Sequence, residues 1–455
     1  MIRDPFKYHL LKYKGALIFT DEPEPLSDEL LEGDEVEPFM PMELLSFSQD
    51  FFLQQIYRHL KRLNEDPDLE RFLIDPIPTD YFKNKRPFYL RKSFRWTAGY
   101  ANKRNYAKEL LHICNQSGIK TWKNVRNVLG IWDIKKIAEG VYSDVFIGEY
   151  KRTMAILKLI PIGAEGQIER LYENSFREAA AKVVVLKELT GLSEVGEGHS
   201  TEGFIQLNGA MVIKGNYPLS MVHAWKVYKQ SMSSYKLNPT FFPPNQNYLL
   251  LAFEYSEITL KDYKIVNIRQ AYSIIYQLFM ATAAAEFRLS YEHRRLSVKN
   301  VLIISCDPND TIRAYFDGSE VYIHTHGVKV KIISSSFCRM TKDESLIYFD
   351  WASNEGFLMG ENNLEQIAFQ TMRTLNKNLW QPFCPTSNVI WLTYIIDYVH
   401  DRLLQLRVDS PEIRDEFLDH FKFLHLYDTA WKWISDHIDS YMKKEIIEKS
   451  EAEEA

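Results

Sequence analysis

The sequence predicts an α+β protein in which a small, β-rich lobe precedes a larger and mostly helical lobe. Short strand-like segments separated by turn residues dominate residues 130–257, whereas helical periodicity dominates residues 258–290 and 361–448. A second β-rich stretch, residues 301–337, interrupts the helical part. The chain has 455 residues and is 45% hydrophobic, so it can bury a large core and global disorder is excluded.

Composition indicates an intracellular, soluble protein. The formal net charge of −6 gives no overall attraction to nucleic acid. The four cysteines are scattered without the spacing of a metal site or a disulfide framework, as is typical of a reducing compartment. The first residues do not resemble a signal peptide, and no apolar run approaches the roughly 20 residues that a membrane helix needs.

The first 105 residues form an N-terminal extension whose composition differs from that of the rest of the chain. Residues 21–38 hold nine Asp and Glu and no Lys or Arg, which predicts a flexible acidic segment. A helix is expected next, from the spacing of five apolar residues: Leu45, Phe52, Ile56, Leu60 and Leu63. Residues 81–108 are basic and aromatic, which suits single-stranded nucleic acid or chromatin. Alternatively, the aromatic side chains pack against the lobes and the charges are solvated or meet the acidic segment.

The elements of the first lobe follow one another clearly. IKKIAEGVYSDVFIGEY (134–150) predicts two strands joined by a turn at Gly140, and TMAILKLIPI (153–162) predicts a third strand. NSFREAAAKVVVLKEL (174–189) is rich in helix formers. NYLLLAFEY (247–255) is a continuous apolar run of the kind found in buried strands.

Five further stretches resemble the haspin family of eukaryotic protein kinases. They are TEGFIQLNG (201–209), GNYPLSMVHAW (215–225), LAFEYSEITL (251–260), FRLSYEHRRLSVKNVLI (287–303) and TSNVIWLTYIIDY (386–398). The resemblance implies a two-lobed, protein-kinase-like domain over residues 106–448. Its N-lobe would span 106–257 and its C-lobe 258–448, with an acidic tail at 449–455.

The phosphate-binding elements depart from the family pattern. Ala138, Gly140 and Ser143 stand where the family has three glycines, so only the middle glycine remains, and an added Cβ at either flank crowds the phosphates. Lys158 matches the strand lysine that contacts the phosphates. Its expected helix glutamate is replaced by Lys182, whose charge should keep that helix from the active arrangement; Glu178, one turn earlier, is a candidate substitute.

The catalytic positions are degenerate as well. Alignment through YEHRRLSVKN (291–300) places Arg295 where the family has its catalytic aspartate, and a guanidinium cannot take a proton from a hydroxyl. Asn300 matches the second metal-coordinating position but is a weak ligand alone. Ser334 replaces the magnesium-binding aspartate and carries no charge for the metal. Ile367 falls at the aspartate of the helix that supports the loop.

The hinge, by contrast, resembles that of the family. Phe253 resembles the residue that guards the back of the adenine pocket, with Glu254, Tyr255 and Ser256 following, and Val145 is a further candidate for binding the nucleotide. Adenine recognition needs mainly backbone hydrogen bonds and apolar walls. We therefore expect ATP binding that is weak or independent of metal, with the role of magnesium in doubt.

The resemblance also suggests a partner class. Haspins phosphorylate the tail of a core histone by using acidic groups, but Thr259 and Lys261 replace acidic positions here. With Arg294, Arg295 and Lys299 added, the cleft should be more positive and should prefer acidic or phosphorylated protein segments.

Three functions therefore remain open at the level of the sequence. The combined losses favour a catalytically inactive pseudokinase that acts as a scaffold or allosteric partner. The retained lysine, asparagine and hinge fit an active, atypical serine/threonine kinase that phosphorylates a histone tail. A chromatin or nucleic-acid binding module that uses residues 81–108 is the third. The resemblance implies a nuclear location.

Overall fold

A computed structural model provides the structure of the protein. It describes residues 51–64, 94–98, 105–140, 143–163, 174–232, 234, 238–256, 258–334, 336–342, 345–353 and 364–454. The acidic segment 21–38 and most of the basic segment 81–108 lie outside these residues, so the predictions for them are not tested.

The N-lobe is built on one twisted sheet of seven strands. The strands are β2 (Lys120–Thr121), β3 (Leu129–Gly140), β4 (Ser143–Tyr150), β5 (Thr153–Gly163), β6 (Asn174–Ser175), β7 (Leu207–Lys214) and β8 (Asn247–Glu254). Their order is β2-β7-β8-β5-β4-β3, and β6 pairs with β5. Three helices accompany the sheet: α2 (Tyr106–Ile113), α3 (Phe176–Gly191) and α4 (Leu219–Ser231). These bounds confirm the predicted strands and the predicted helix of the first lobe.

The C-lobe is mainly helical, as expected. Its helices are α5 (Ile268–Leu289), α6 (Leu364–Leu375), α7 (Thr386–Leu406), α8 (Pro411–His420) and α9 (Ala430–Glu454). Its short strands are β9 (Ile258–Thr259), β10 (Val301–Ser305), β11 (Thr311–Phe316), β12 (Ser319–His324), β13 (Val328–Ile332), β14 (Arg339–Lys342) and β15 (Ser345–Phe349). Helix α5 is buried along almost its whole length, because its own side chains are mostly apolar or small on every face of the helix. The two-lobed α+β prediction is confirmed.

The N-terminal extension contributes a helix to the core of the C-lobe. Helix α1 (Phe51–Asn64) packs on α7, with Phe52, Ile56 and Leu60 buried. The ring of Phe52 meets Tyr394 edge-on at 6.1 Å between centroids. Three of the residues whose spacing predicted this helix therefore lie on the face that it buries; Leu45 and the side chain of Leu63 are not among the described parts of the chain.

The extension also supplies an edge strand. Strand β1 (Phe94–Ala98) pairs antiparallel with β15, which pairs with β14, and the register places Trp96 opposite Ile347. The backbone of residues 94–98 is thus engaged with the C-lobe. This pairing describes the backbone alone, so the predicted packing of the aromatic side chains against the lobes is not tested.

The last helix, α9, extends to Glu454 and so includes most of the acidic tail 449–455. The tail contains only Lys, Ser, Glu and Ala, and most of these residues are good helix formers. No helix within the described residues is long and apolar enough to cross a membrane.

Candidate active site

A cavity of about 120 Å³ lies between the N-lobe sheet, helix α3 and the segment that follows β13. It is lined by Val145, Ile156, Lys158, Lys182, Val185, Leu186, Ile205, Leu251, Phe253, Ile333, Ser334, Ser336 and Cys338. Small-molecule sites usually enclose about 300 Å³ or more, so this cavity is smaller than a typical ligand site. The predicted residues Val145, Lys158, Lys182, Phe253 and Ser334 all meet here.

The other predicted binding residues do not line this cavity. They are Gly140, Glu254, Tyr255, Ser256 and Asn300. Glu254 does not line the cavity, because its carboxylate is engaged elsewhere. It accepts a hydrogen bond from the Gln206 N–H at 2.8 Å and lies 3.5 Å from Lys331 Nζ. Its side chain therefore binds within the protein.

The remaining glycine of the phosphate loop has a structural reason to be kept. Gly140 ends β3 opposite Ser143, and a Cβ added at Gly140 would lie 2.7 Å from Ser143 Oγ. The turn between them lies outside the described residues. The same hairpin is held to α4, because Lys136 Nζ, which lies 2.8 Å from Asp144, also lies 4.6 Å from the centre of the Tyr228 ring.

Two lysines share the cavity. Lys158 is centred in the sheet, opposite Val145 on β4 and Leu251 on β8, and Lys182 reaches the cavity from α3. Lys182 therefore lines the same space as Lys158, and the prediction that α3 does not adopt the active arrangement unaided stays a prediction. Burial lowers the pKa of Lys182, while the nearby Glu178 carboxylate acts in the opposite direction. Both effects weaken the like-charge repulsion on which that prediction rested.

Glu178 was proposed as a substitute partner, and the structure shows one role for it. Its Oε2 accepts hydrogen bonds from Ser175 N at 2.7 Å and from Ser175 Oγ at 3.0 Å, while Ser175 Oγ accepts from Glu178 N. This reciprocal capping box begins α3. The carboxylate is therefore tied to the first turn of the helix, one turn before Lys182.

The backbone of the catalytic loop is firmly held. His293 Nε2 donates to the Ile333 carbonyl at 2.9 Å, and His293 Nδ1 accepts from the Arg295 N–H at 3.3 Å. Asn300 Nδ2 donates to the Arg295 carbonyl at 2.7 Å. Asn388 Oδ1 accepts the His293 N–H at 2.9 Å. The loop geometry thus persists, although its central side chain is changed.

Arg295 occupies the centre of this loop with its guanidinium turned to α6. Its NH2 lies 4.0 Å from Glu365 Oε2, and its Cζ lies 5.6 Å from the centre of the Phe337 ring. About 28% of the side chain is exposed. The group is a cation beside a carboxylate and an aromatic face, and it has no capacity to accept a proton.

Arg294 does not add charge to the cleft, contrary to the prediction. It is fully buried, and its Nε and NH2 each donate to a carboxylate oxygen of Glu292 at 3.0 Å. Its Cζ lies 5.4 Å from the Trp380 ring, and its φ of 59° is a left-handed backbone conformation. The side chain is therefore neutralised inside the C-lobe. Sequence alone could not show this, because the buried partner and the turn depend on tertiary structure.

Ser334 takes part in a neutral hydrogen-bonded group. Tyr291 Oη donates to Ser334 Oγ at 3.3 Å, and Ser334 Oγ lies 3.8 Å from Cys338 Sγ. Burial raises the pKa of Cys338 to about 11, so its thiol is protonated at neutral pH. Within the described part of the chain, no group of three or more His, Cys, Asp or Glu is arranged to hold a metal ion. The donors at this position suit magnesium poorly.

Sequence reasoning missed two residues that support the loop. Asn388, on α7, also donates to the Tyr291 carbonyl at 2.8 Å and to Glu286 at 2.9 Å, so it carries the support expected at the α6 position. Ile367, the residue aligned there, is buried among apolar side chains. Asn388 lies within a stretch that carries the family resemblance, which was the available signal. Glu365 gave no signal, because its role depends on the unusual Arg295.

Four features together define a protein-kinase-like domain. They are a β-rich lobe, a helical lobe, a strand lysine at the cavity between the lobes, and a His-Arg loop that ends in asparagine. The family profile described as "Haspin like kinase domain" matches residues 99–454, and the chain belongs to this haspin-like kinase family.

Several curated relatives carry the haspin name. The chain is 28% identical over 334 residues to the serine/threonine-protein kinase haspin of Mus musculus, covering 73% of this chain and 42% of that protein. It is 30% identical over 299 residues to haspin of Bos taurus, covering 65% and 38%. It is 24% identical over 341 residues to the haspin homolog of Drosophila melanogaster, covering 73% and 60%. The chain thus spans about two fifths to three fifths of the length of these relatives.

Proposed function

We propose that this haspin-family chain is a pseudokinase, which binds a protein partner as a scaffold or allosteric component and does not transfer phosphate. The observation that carries the proposal is the placement of Arg295. The loop around it keeps its hydrogen bonds through His293 and Asn300, so the guanidinium stands where a proton acceptor would be needed. Transfer to a hydroxyl needs a group that orients it and takes its proton.

Two further positions support an inactive domain. Ser334 is uncharged and tied to Tyr291 and Cys338, where a carboxylate would hold the metal. Lys182 replaces the carboxylate partner of Lys158 in the cavity. Each loss removes a different part of phosphoryl transfer, namely metal binding and lysine positioning.

An active kinase is the second candidate, and two observations favour it. The curated relatives are named serine/threonine-protein kinases, a class of enzyme that uses ATP as the phosphate donor. In this chain, Lys158 reaches the cavity and Asn300 retains its contact with the loop. Phosphoryl transfer depends mainly on positioning and charge stabilisation, so a rewired site is chemically conceivable.

Phosphate transfer separates these two candidates. The full chain is incubated with radiolabelled ATP, Mg²⁺ and a basic histone-tail peptide, beside a Lys158→Met variant that removes the phosphate-contacting cation. We expect incorporation no higher than that of the variant, because no group can accept the hydroxyl proton. Incorporation that the variant abolishes would overturn the pseudokinase proposal and establish the active kinase. Equal residual incorporation in both would come from a contaminating kinase.

The partner proposed for this surface is an acidic or phosphorylated protein segment. Lys261 and Lys299 are exposed, and Arg295 is partly exposed beside Glu365. The buried Arg294 adds nothing, so the basic surface is smaller than the sequence suggested. The nucleic-acid alternative rests on residues 81–108, of which residues 94–98 are paired in a sheet.

A peptide array tests the choice of partner. We expect acidic and phosphorylated peptides to bind the full chain more strongly than basic histone-tail peptides, because exposed cations favour anionic segments. A Lys299→Glu variant should weaken this preference, whereas Lys120→Glu, an exposed position on the N-lobe strand β2, should leave it unchanged. Stronger binding of the basic peptides would contradict the proposal.

A further inference from the structure

One face of helix α4, on the N-lobe, exposes large apolar side chains to solvent. Leu219, the first residue of the helix, is 85% exposed, and Val227, about two turns later, is 50% exposed. Phe241 is 76% exposed and ends the short helical turn Pro239–Phe241, which packs against α4. Exposed apolar side chains that are grouped in this way mark a surface that another element covers.

The exposed ring of Phe241 is held in place by its neighbours. Pro239 is buried, and the ring of Phe242 meets Tyr248 edge-on at 6.0 Å between centroids. The Phe241 N–H donates to the Asn238 carbonyl at 3.0 Å. The turn is therefore anchored on both sides of Phe241, and its ring is preorganised for contact with a ligand.

The same surface is basic. Residues 203–253 contain four lysines and no Asp or Glu. Lys226 and Lys229 are exposed on α4, and so is His223, about one turn earlier. The N-cap residue of α4 is Pro218, so no side chain accepts from the first N–H groups of the helix, and this end carries a partial positive charge.

The carboxylates that lie nearest to α4 are engaged elsewhere. Glu139 ends close to the turn of the β3–β4 hairpin, and β3 packs against α4. Glu139 and Asp144 each lie 2.8 Å from the ammonium of Lys136, whose side chain is buried. Both carboxylates therefore bind a cation beneath the helix, while the two lysines of α4 remain at the surface.

The acidic segment 21–38 of the same chain has the complementary composition. It holds nine Asp and Glu and no Lys or Arg. Its large apolar residues are Leu26, Leu30, Leu31 and Val36. The chain from Leu30 to Phe51, where α1 begins, spans up to about 70 Å when extended. A domain of this size measures about 55 Å across, so the segment can reach the N-lobe from α1.

We propose that residues 21–38 bind the exposed face of α4 in the same molecule. Their carboxylates meet Lys226 and Lys229. Their leucines cover Leu219 and Phe241. Because the segment is tethered, its effective concentration is about millimolar, and a weak contact is enough to keep it bound. An external acidic segment would have to displace this internal one before it could use the same surface.

Photo-cross-linking of the full chain tests this inference. The photoreactive p-benzoylphenylalanine is placed at Phe241 in one variant and at Phe423 in another, and mass spectrometry locates the cross-linked residues. We expect cross-links to residues 21–38 to be at least fivefold more frequent from position 241. Phe423 is a stringent control, because it is 57% exposed and follows Lys422, whose carbonyl accepts a hydrogen bond from Arg58 of α1. Random contacts of a segment tethered to α1 would favour position 423.

Charge reversal separates the proposed contact from chance proximity. Lys226→Glu combined with Lys229→Glu should lower the yield of cross-links from position 241 to the acidic segment at least fivefold. Adding Glu29→Lys and Glu32→Lys should restore at least half of that yield, since opposite charges then face each other again.

Two controls complete the experiment. Lys264→Glu combined with Lys432→Glu makes the same charge change at exposed positions of the C-lobe, and should leave the yield unchanged. Melting curves establish that each variant is folded. An equal mixture of unlabelled and isotopically labelled chains shows whether a cross-link joins two molecules.

Each outcome of the cross-linking has a definite meaning. Cross-links from position 241 that fall in residues 81–108, that join two copies of the chain, or that persist after the lysine reversals would overturn the inference. The absence of cross-links to residues 21–38 would overturn it as well. The binding of the segment does not depend on phosphate transfer, so its failure leaves the pseudokinase proposal intact, and the reverse also holds.

Discussion

Replacing Arg294 with Met is expected to lower the free energy of unfolding by about 3–5 kcal/mol, the cost of leaving one member of a buried ion pair without its partner. Glu292 and Arg294 are both fully buried and are joined by two hydrogen bonds of 3.0 Å. Without the guanidinium, the carboxylate keeps hydrogen bonds from Cys384 N and Ser387 Oγ, both at 2.9 Å. Arg339 Nε, at 3.8 Å, compensates part of the charge, which favours the lower half of the range.

Urea unfolding of the full chain measures this effect. An Arg313→Met variant is the matched control, because Arg313 is exposed and its ion pair with Glu320 lies at the surface, where solvent screening leaves such pairs with little effect on stability. Adding Glu292→Gln to Arg294→Met should recover part of the loss, since it removes the unpaired charge. A loss below about 1 kcal/mol for Arg294→Met would show that the pair does not stabilise the fold.

Acidification from pH 6.5 to pH 4.5 is expected to remove several kcal/mol of stability through two buried histidines. Burial is the main cause that lowers the pKa of His59 to about 3 and that of His293 to about 4. The neighbouring cations Arg62 and Arg295 lower these values further. In the unfolded chain both side chains take up a proton near pH 6.5, whereas in the folded protein they stay neutral to lower pH.

The sign of the effect follows from this difference in protons bound. Stability from these groups is complete above pH 6.5 and falls as the pH decreases, by about 1.4 kcal/mol per pH unit for each histidine. The fall ends near pH 4 for His293 and near pH 3 for His59. The hydrogen bonds agree with a neutral His293, because its Nδ1 accepts the Arg295 N–H while its Nε2 donates to Ile333.

Unfolding free energies measured by urea titration between pH 4.5 and pH 7.5 provide the comparison. His59→Gln and His293→Gln should each reduce the slope of the unfolding free energy against pH by the contribution of about one proton, because glutamine does not titrate. His112→Gln is a control on α2, where the side chain is exposed. If the variants keep the full slope of the original chain, carboxylates or other groups account for its acid sensitivity.

Much of the architecture could be predicted from the sequence because local patterns and the global fold agree. The strand that carries Lys158, the helix that carries Lys182 and the buried strand before the hinge all follow from periodicity and composition. The resemblance then placed Lys158, Lys182 and Ser334 at one cavity, which the structure shows. The position of Lys158 is fixed by the register of its strand with β4 and β8, which an apolar pattern specifies well.

The rest depends on tertiary contacts that no local pattern encodes. The buried Arg294 contacts Glu292, two residues earlier, and Trp380, far along the chain. A stretch that looks basic in the sequence therefore contains an ion pair in the protein interior. The same applies to Asn388, whose amide joins the catalytic loop to α5 and α7. The burial of Lys182 and the nearby Glu178 carboxylate, which both affect its charge beside Lys158, likewise depend on the folded structure.

Because β1 pairs with β15 and α1 packs on α7, the part of the chain that folds together is longer than the part that matches the family. The family match begins at residue 99, yet Phe52, Ile56 and Leu60 complete the C-lobe core, and residues 94–98 cover a strand edge. A fragment cut at the homology boundary would expose an apolar groove and an unpaired edge, both of which promote aggregation. Boundaries drawn from family similarity alone would therefore divide a continuous core, and the stable minimal protein is expected to begin no later than residue 51.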